Sequence, residues 1–232
     1  MAGGNDRVNG GEDSDIISGD AFQSIGLLFV VPLGGGPGSQ IFTTINLTGG
    51  NDVLLGGNGN DWIAGDLWNG DGIEEPSTIV GGNDTIQGGN GDDMLFGDVG
   101  ADYTGLLDSG GDDTLDGGFG DDLIDGQLGK DTVSFAAIAA AVDVDLAAGT
   151  ATGQGNDILA GIENITGSSR GDRLAGDDGS NAIDGGAGAD IIIGRGGSDQ
   201  ITDGAGQDTL NGGTGNDLFD YNSVNESPVG AS

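Results

Sequence analysis

The chain has no cysteine and no histidine, four prolines, and five basic residues against 39 acidic ones. Without cysteine there are no disulfides and no thiolate metal sites. Without histidine there is neither an H-E-x-x-H metalloprotease motif nor a Ser-His-Asp triad. The formal net charge of −34 argues against nucleic acid and anionic membranes as partners and in favour of cations. It also opposes compaction of the chain on its own. Long hydrophobic runs are lacking too. The most apolar stretch, Ile25 to Leu33, is about half of what a membrane helix needs, so no membrane insertion is expected. The opening residues, Met1-Ala2-Gly3-Gly4-Asn5-Asp6, read as repeat rather than as signal peptide.

What the chain has is glycine, 53 residues of 232, far above the usual ~7%. From Gly167 to Asp220 it falls into six consecutive nine-residue units of the form G-G-x-G-x-D-x-(apolar)-x. Gly185 to Ile193 and Gly212 to Asp220 are the cleanest copies. The acidic position is held by Asp172, Asn181, Asp190, Asp199, Asp208 and Asp217, and the apolar position two later by Leu174, Ile183, Ile192, Ile201, Leu210 and Phe219. Shorter blocks keep the same frame upstream: Asp6 and Asp15, Asp52 and Asp61, Asp84 and Asp93, then Asp113, Asp122 and Asp131.

Six turn residues and three strand residues per unit give an all-β solenoid whose coil is two units long. Turn n then stacks on turn n+2 at the ~4.8 Å strand spacing. Asp172, Asp190 and Asp208 fall in one row, and Asn181, Asp199 and Asp217 in the other. Carboxylates stacked so closely repel by roughly 1 kcal/mol per pair in water, and by several times more at lower effective dielectric. A divalent cation between turns reverses the sign. Calcium accepts six to eight oxygens in flexible geometry, whereas magnesium demands a tight octahedron and zinc prefers His or Cys. Several calcium ions are therefore expected. An isolated Gly-Asp would be read as a turn cap; the strict register favours metal. Asn181 keeps the shape but loses the charge, so its site should be weaker. Gly126-Gln127-Leu128-Gly129-Lys130-Asp131 lacks the second glycine and carries a cation, which makes that turn a poor site.

Four segments are expected. Residues 1–131 form N-terminal repeats interrupted by insertions at 21–48, 67–80 and 99–109. Residues 132–166 form an irregular strand linker that continues the solenoid, residues 167–220 the regular array, and residues 221–232 a tail. Each insertion follows a Gly-Asp pair (Gly19-Asp20, Gly65-Asp66, Gly97-Asp98) and precedes a shortened turn such as Gly81-Gly82-Asn83-Asp84. On this reading Asp20 lies outside the turn frame, and all insertions leave along one edge. In the linker, Val133, Phe135, Val142, Val144 and Leu146 read as strand, with a short helix from Ala136 to Ala141 as the alternative. Asn156 to Leu159 and Ile162 to Ile165 look like degenerate rungs.

These repeats resemble those of the RTX (repeats-in-toxin) family of secreted Gram-negative proteins, whose nonapeptide is a signature of calcium-binding parallel β-helices. The linking segments Val142 to Thr150 and Gly161 to Gly167 are similar to those between arrays in that family. The resemblance implies a parallel β-roll with calcium held by turn aspartates and by glycine carbonyls. The carbonyls carried over are those of Gly57, Gly59, Gly89, Gly91, Gly118, Gly120, Gly186, Gly188, Gly213 and Gly215. It further implies a secreted, extracellular module that folds on calcium after passing a type I secretion apparatus. The chain shows no recognisable effector domain, so a non-catalytic fragment of a larger secreted enzyme or toxin is one alternative.

A second alternative is adhesion, with carbohydrate or protein recognised by the insertions through an aromatic pair, Trp62 and Trp68. The plainer reading of the insertions is structural hairpins or caps. No enzyme activity is expected. Gly167-Ser168-Ser169-Arg170-Gly171 matches a G-x-S-x-G elbow, but it sits in repeat frame and lacks a base.

Overall fold

The computed structural model describes residues 5, 7–12, 14–19, 31–32, 42–43, 47–48, 50–66, 73–74, 79–99 and 107–221. Asp6, Asp20, Trp68 and the tail beyond 221 lie outside them. The described secondary structure is β-strand, without helix. The chain divides into two compact units, Met1–Asp131 and Thr132–Ser232.

In the N-terminal unit the strands of each coil stack in two parallel ladders. One ladder joins Arg7–Gly11, Val53–Asn58, Thr85–Asn90 and Thr114–Phe119, pairing Val8 with Leu54, Leu54 with Ile86, and Ile86 with Leu115. The other joins Asp15–Ser18, Trp62–Ala64, Met94–Phe96 and Leu123–Asp125, pairing Ile17 with Ile63, Ile63 with Leu95, and Leu95 with Ile124. Each of these paired apolar residues stands two places after a turn aspartate, and all are buried. Strand alternation turns their neighbours outward. Trp62, beside buried Ile63, is accordingly half-buried.

The C-terminal unit repeats the plan. One ladder runs Thr132–Ser134, Asn164–Thr166, Ala182–Asp184, Gln200–Thr202 and Leu218–Asp220. Its partner includes Asp143–Asp145, Arg173–Ala175, Ile191–Ile193 and Thr209–Asn211. Val133, Ile165, Ile183 and Ile201 form one buried column and Val144, Leu174, Ile192 and Leu210 another. Burial of each such side chain contributes about 1.5–3 kcal/mol, so coils depend on their neighbours for stability. Phe219, in the last described coil, is only half-buried.

The linker departs from a simple solenoid. Asp143–Asp145 pairs antiparallel with Thr150–Thr152, which pairs antiparallel with Asn156–Ala160. Asn156 to Leu159 is therefore part of a local meander. Thr150 follows Asp145 after a four-residue turn, too short for the crossover that parallel pairing requires. The helix considered from Ala136 to Ala141 does not form; Ala136 and Ala137 are turn, Ala139 and Ala140 bend, and the rest is irregular. The segment is shorter than two helical turns, below the length at which a helix sustains itself.

Strand pairs at the ends of the insertions show where they leave the coils. Leu47–Thr48, Ile79–Val80 and Leu107–Ser109 stack as a small parallel sheet, and Phe42–Thr43 pairs with Ile73–Glu74. The three insertions thus return along one edge.

Candidate metal centre

Each turn carboxylate has a divided role. Oδ1 accepts the backbone N–H of the equivalent residue one coil back: Asp84 from Asp52 at 2.7 Å, Asp113 from Asp84 at 2.7 Å, and Asp131 from Asp113 at 2.9 Å. In the second N-terminal row, Asp93 accepts from Asp61 at 2.8 Å and Asp122 from Asp93 at 2.9 Å. In the C-terminal unit, Asp190 accepts from Asp172, Asp208 from Asp190, Asp199 from Asn181 and Asp217 from Asp199, between 2.8 and 3.1 Å. This ladder fixes the +18 register expected for the two rows. It also answers the turn-cap alternative: the aspartates do cap backbone, with one oxygen, across coils rather than within a turn.

The other oxygen is where a ligand fits. Oδ2 of Asp84, Asp93, Asp98, Asp113, Asp190, Asp199 and Asp208 is buried and has no hydrogen-bond partner. Leaving a carboxylate oxygen buried and unsatisfied is costly, and a charged one more so. Burial, reinforced by neighbouring carboxylates, pushes Asp84 up to about 9, with Asp66 its strongest like-charged neighbour. The same cause lifts Asp93, Asp98 and Asp113 to about 7, and Asp122 and Asp190 to about 6. Protons or a hard cation relieve this strain, and an all-oxygen donor set suits calcium.

Glycine is required around that oxygen. A Cβ on Gly194, the first glycine of its unit, would collide with Asp199 Oδ2 and the Gly212 carbonyl. The ten carbonyl-donor glycines inferred above, from Gly57 to Gly215, all have positive φ. Two non-glycine residues take that conformation at a second-glycine position, Gln127 at φ 71° and Arg195 at φ 74°. Each is anchored by its side chain. Gln127 donates to the Val99 carbonyl at 2.7 Å, and Arg195 makes paired bonds to Asp145 at 2.6 and 2.7 Å.

Two sites differ from the repeat. Asp172 is fully engaged by protein donors: Oδ1 accepts from Val142 N–H and the Ser168 hydroxyl, and Oδ2 from Ser168 N–H. Ser168, the apparent elbow nucleophile, is 3% exposed and serves as that carboxylate's cap. Asn181 donates its amide to the Glu163 carbonyl at 2.8 Å. Its N–H thus stands where a repeat aspartate would hold an ion against the neighbouring carbonyl. Asp15 lies at the start of its strand, while Asp217 is half-buried at the last described turn.

The Gly-Asp pairs that precede the insertions belong to the turns; Asp20, which the sequence reading puts outside the turn frame, lies outside the described residues. A Cβ on Gly19, Gly65 or Gly97 would meet Oδ2 of Asp52, Asp84 or Asp113, respectively. Gly56 stands in the same relation to Asp61, and Gly88 to Asp93. Gly65-Asp66 is thus the first half of a turn completed by Gly81-Gly82-Asn83-Asp84 after an insertion. The turns are split, not shortened. Asp66 and Asp98 occupy the second-glycine position and are 3% and 0% exposed. The signal for this was in the sequence: Gly126-Gln127-Leu128-Gly129-Lys130-Asp131 is the uninterrupted turn of the same row.

Stacked coils, carboxylates capped on one side and open on the other, and glycine-lined turns define a cation-binding parallel β-roll. A family model for the RTX calcium-binding nonapeptide repeat, four copies long, matches residues 2–23, 43–67, 80–103, 106–135, 166–201 and 193–225. The matches span well over half of the chain, which belongs to this family; its repeats are calcium-binding repeats. Most of the first two insertions and of the linker fall between the matches, whereas the insertion at 99–109 lies largely within them. No curated protein matches the chain.

Proposed function

We propose that the chain is a calcium-dependent folding module of a secreted protein, exported unfolded through a type I apparatus and folding outside the cell. The observation that carries this reading is the row of buried Oδ2 atoms without partners, repeated coil on coil. Like charge holds the coils apart until an ion bridges them. Extracellular calcium modules commonly bind in the ~10⁻⁴–10⁻³ M range, and binding only to the folded state stabilises it directly. The turn aspartates and the positive-φ glycines are the residues that would hold the ions. The module is not itself catalytic: the elbow serine is a cap, and the carboxylates belong to turns. The parallel stacking of the insertion ends supports a structural role for them over recognition.

The test is far-UV circular dichroism during a calcium titration, with magnesium as control. A calcium-specific coil-to-β transition at sub-millimolar to millimolar concentration supports the proposal. Full β-structure in excess chelator would refute it.

A further inference from the structure

We propose that the split turns of the N-terminal unit form a second class of calcium site, in which Asp66 adds a third carboxylate to Asp52 and Asp84. The proposal rests on the calcium reading above but concerns a residue at the second-glycine position, where the G-G-x-G-x-D motif has no carboxylate. Carboxylate oxygens of Asp52, Asp66 and Asp84 lie within 4.8 Å of one another, and the residues are 1%, 3% and 2% exposed.

An acidic cluster alone would not make a site. Asp84 supplies the independent sign: its Oδ2 is buried without a partner and lies against Gly65, the residue preceding Asp66. Asp66 itself is held in place, because its Oδ2 accepts the N–H of Gly82 at 3.0 Å. That bond staples the outgoing half of the turn to the returning half across the insertion. Asp98 does the same one coil on, accepting from Gly111 at 2.9 Å while its Oδ2 stays buried and unpartnered.

The uninterrupted turn of the row shows the contrast. There Gln127 occupies the second position and turns back, accepting the Val99 N–H at 2.8 Å and donating to the Val99 carbonyl. Within this row a carboxylate stands where the turn is cut and a neutral amide where it is whole. Asp177 takes the same position in an uninterrupted turn of the C-terminal unit, accepting the Gly179 N–H at 2.7 Å, but its turn carries Asn181 where this row carries an aspartate. In an ordinary repeat that position is a glycine, which offers a carbonyl and no charge. Calcium affinity is tuned by ligand charge count and rigidity, so a three-carboxylate site binds before the nonapeptide turns and organises the N-terminal unit first.

The test is equilibrium calcium binding of the full chain against a competing chelator, comparing wild type, Asp66→Asn and Asp190→Asn. Asparagine keeps an acceptor for Gly82 and removes only the charge. The expected result is a tightest ion in the wild type that Asp66→Asn weakens at least tenfold and Asp190→Asn leaves in place. An Asp66→Asn profile identical to wild type overturns the inference while leaving the calcium reading intact; a wild type that binds no calcium overturns both. If Asp66→Asn fails to fold, wild-type hydrogen exchange at one equivalent of calcium decides. Protection appearing first in residues 50–66 and 79–90 supports the site, and protection appearing first in 185–220 contradicts it.

Discussion

At the scale of the residue, the turn aspartate does two jobs with two oxygens. Asp190 shows both: Oδ1 accepts the Asp172 N–H and Oδ2 is buried without a partner. Asp190→Asn keeps the first function and loses the charge. We expect it to raise the calcium midpoint of folding about tenfold, or roughly 1.4 kcal/mol. Asp178→Asn, at an exposed turn position, should leave the midpoint unchanged; equal shifts would contradict the assignment. Asn181→Asp is the converse. It removes the amide bond to Glu163 and restores a carboxylate in the row, so calcium titration should show an additional or tighter ion. Gly194→Ala has no room for its methyl beside Asp199 Oδ2 and should destabilise the calcium-loaded fold by about 1–3 kcal/mol, measured by thermal unfolding.

At the scale of the element, the nine-residue period made the strands legible because one apolar side chain per half-coil has nowhere else to go. Ile192 and Ile63, each two places after its aspartate, are fully buried as that spacing requires. The linker was less legible. Val133 and Val144 alternate as strand residues should, but alternation carries no strand direction, and the antiparallel meander through Thr150–Thr152 is set by a four-residue turn. The split turns were hidden for a related reason. Gly65 and Asp84 belong to one turn yet stand 19 positions apart, and the first glycine is recognisable only by the carboxylate packed against it. From spacing alone Asp66 therefore reads as the end of a block and not as a site residue, whereas Asp84 and Asp93 stand out as frame positions.

At the scale of the whole molecule, the fold carries a charge that only ions or protons can relieve, and this sets its pH response. Burial raises Asp84 to about 9 and Asp93, Asp98 and Asp113 to about 7, all above the ordinary value near 3.9. In the metal-free chain these groups favour the folded state fully below about pH 4, and that contribution declines as pH rises and is gone by about 7 to 9. Circular dichroism in chelator should accordingly show more β-structure at acid pH than at pH 8. With calcium present the dependence inverts: protons compete for the same oxygens, so apparent affinity falls on acidification through that range. Calcium affinity independent of pH between 5 and 9 would contradict the burial of the ligands.

The central claim is that the partnerless Oδ2 atoms are calcium ligands, and the most direct measurement is anomalous diffraction from crystals grown in calcium. The account predicts difference peaks about 2.3–2.6 Å from Oδ2 of Asp84, Asp93, Asp113, Asp190, Asp199 and Asp208. Well-ordered turns with no peak at these oxygens would show that protons, not calcium, hold the coils together.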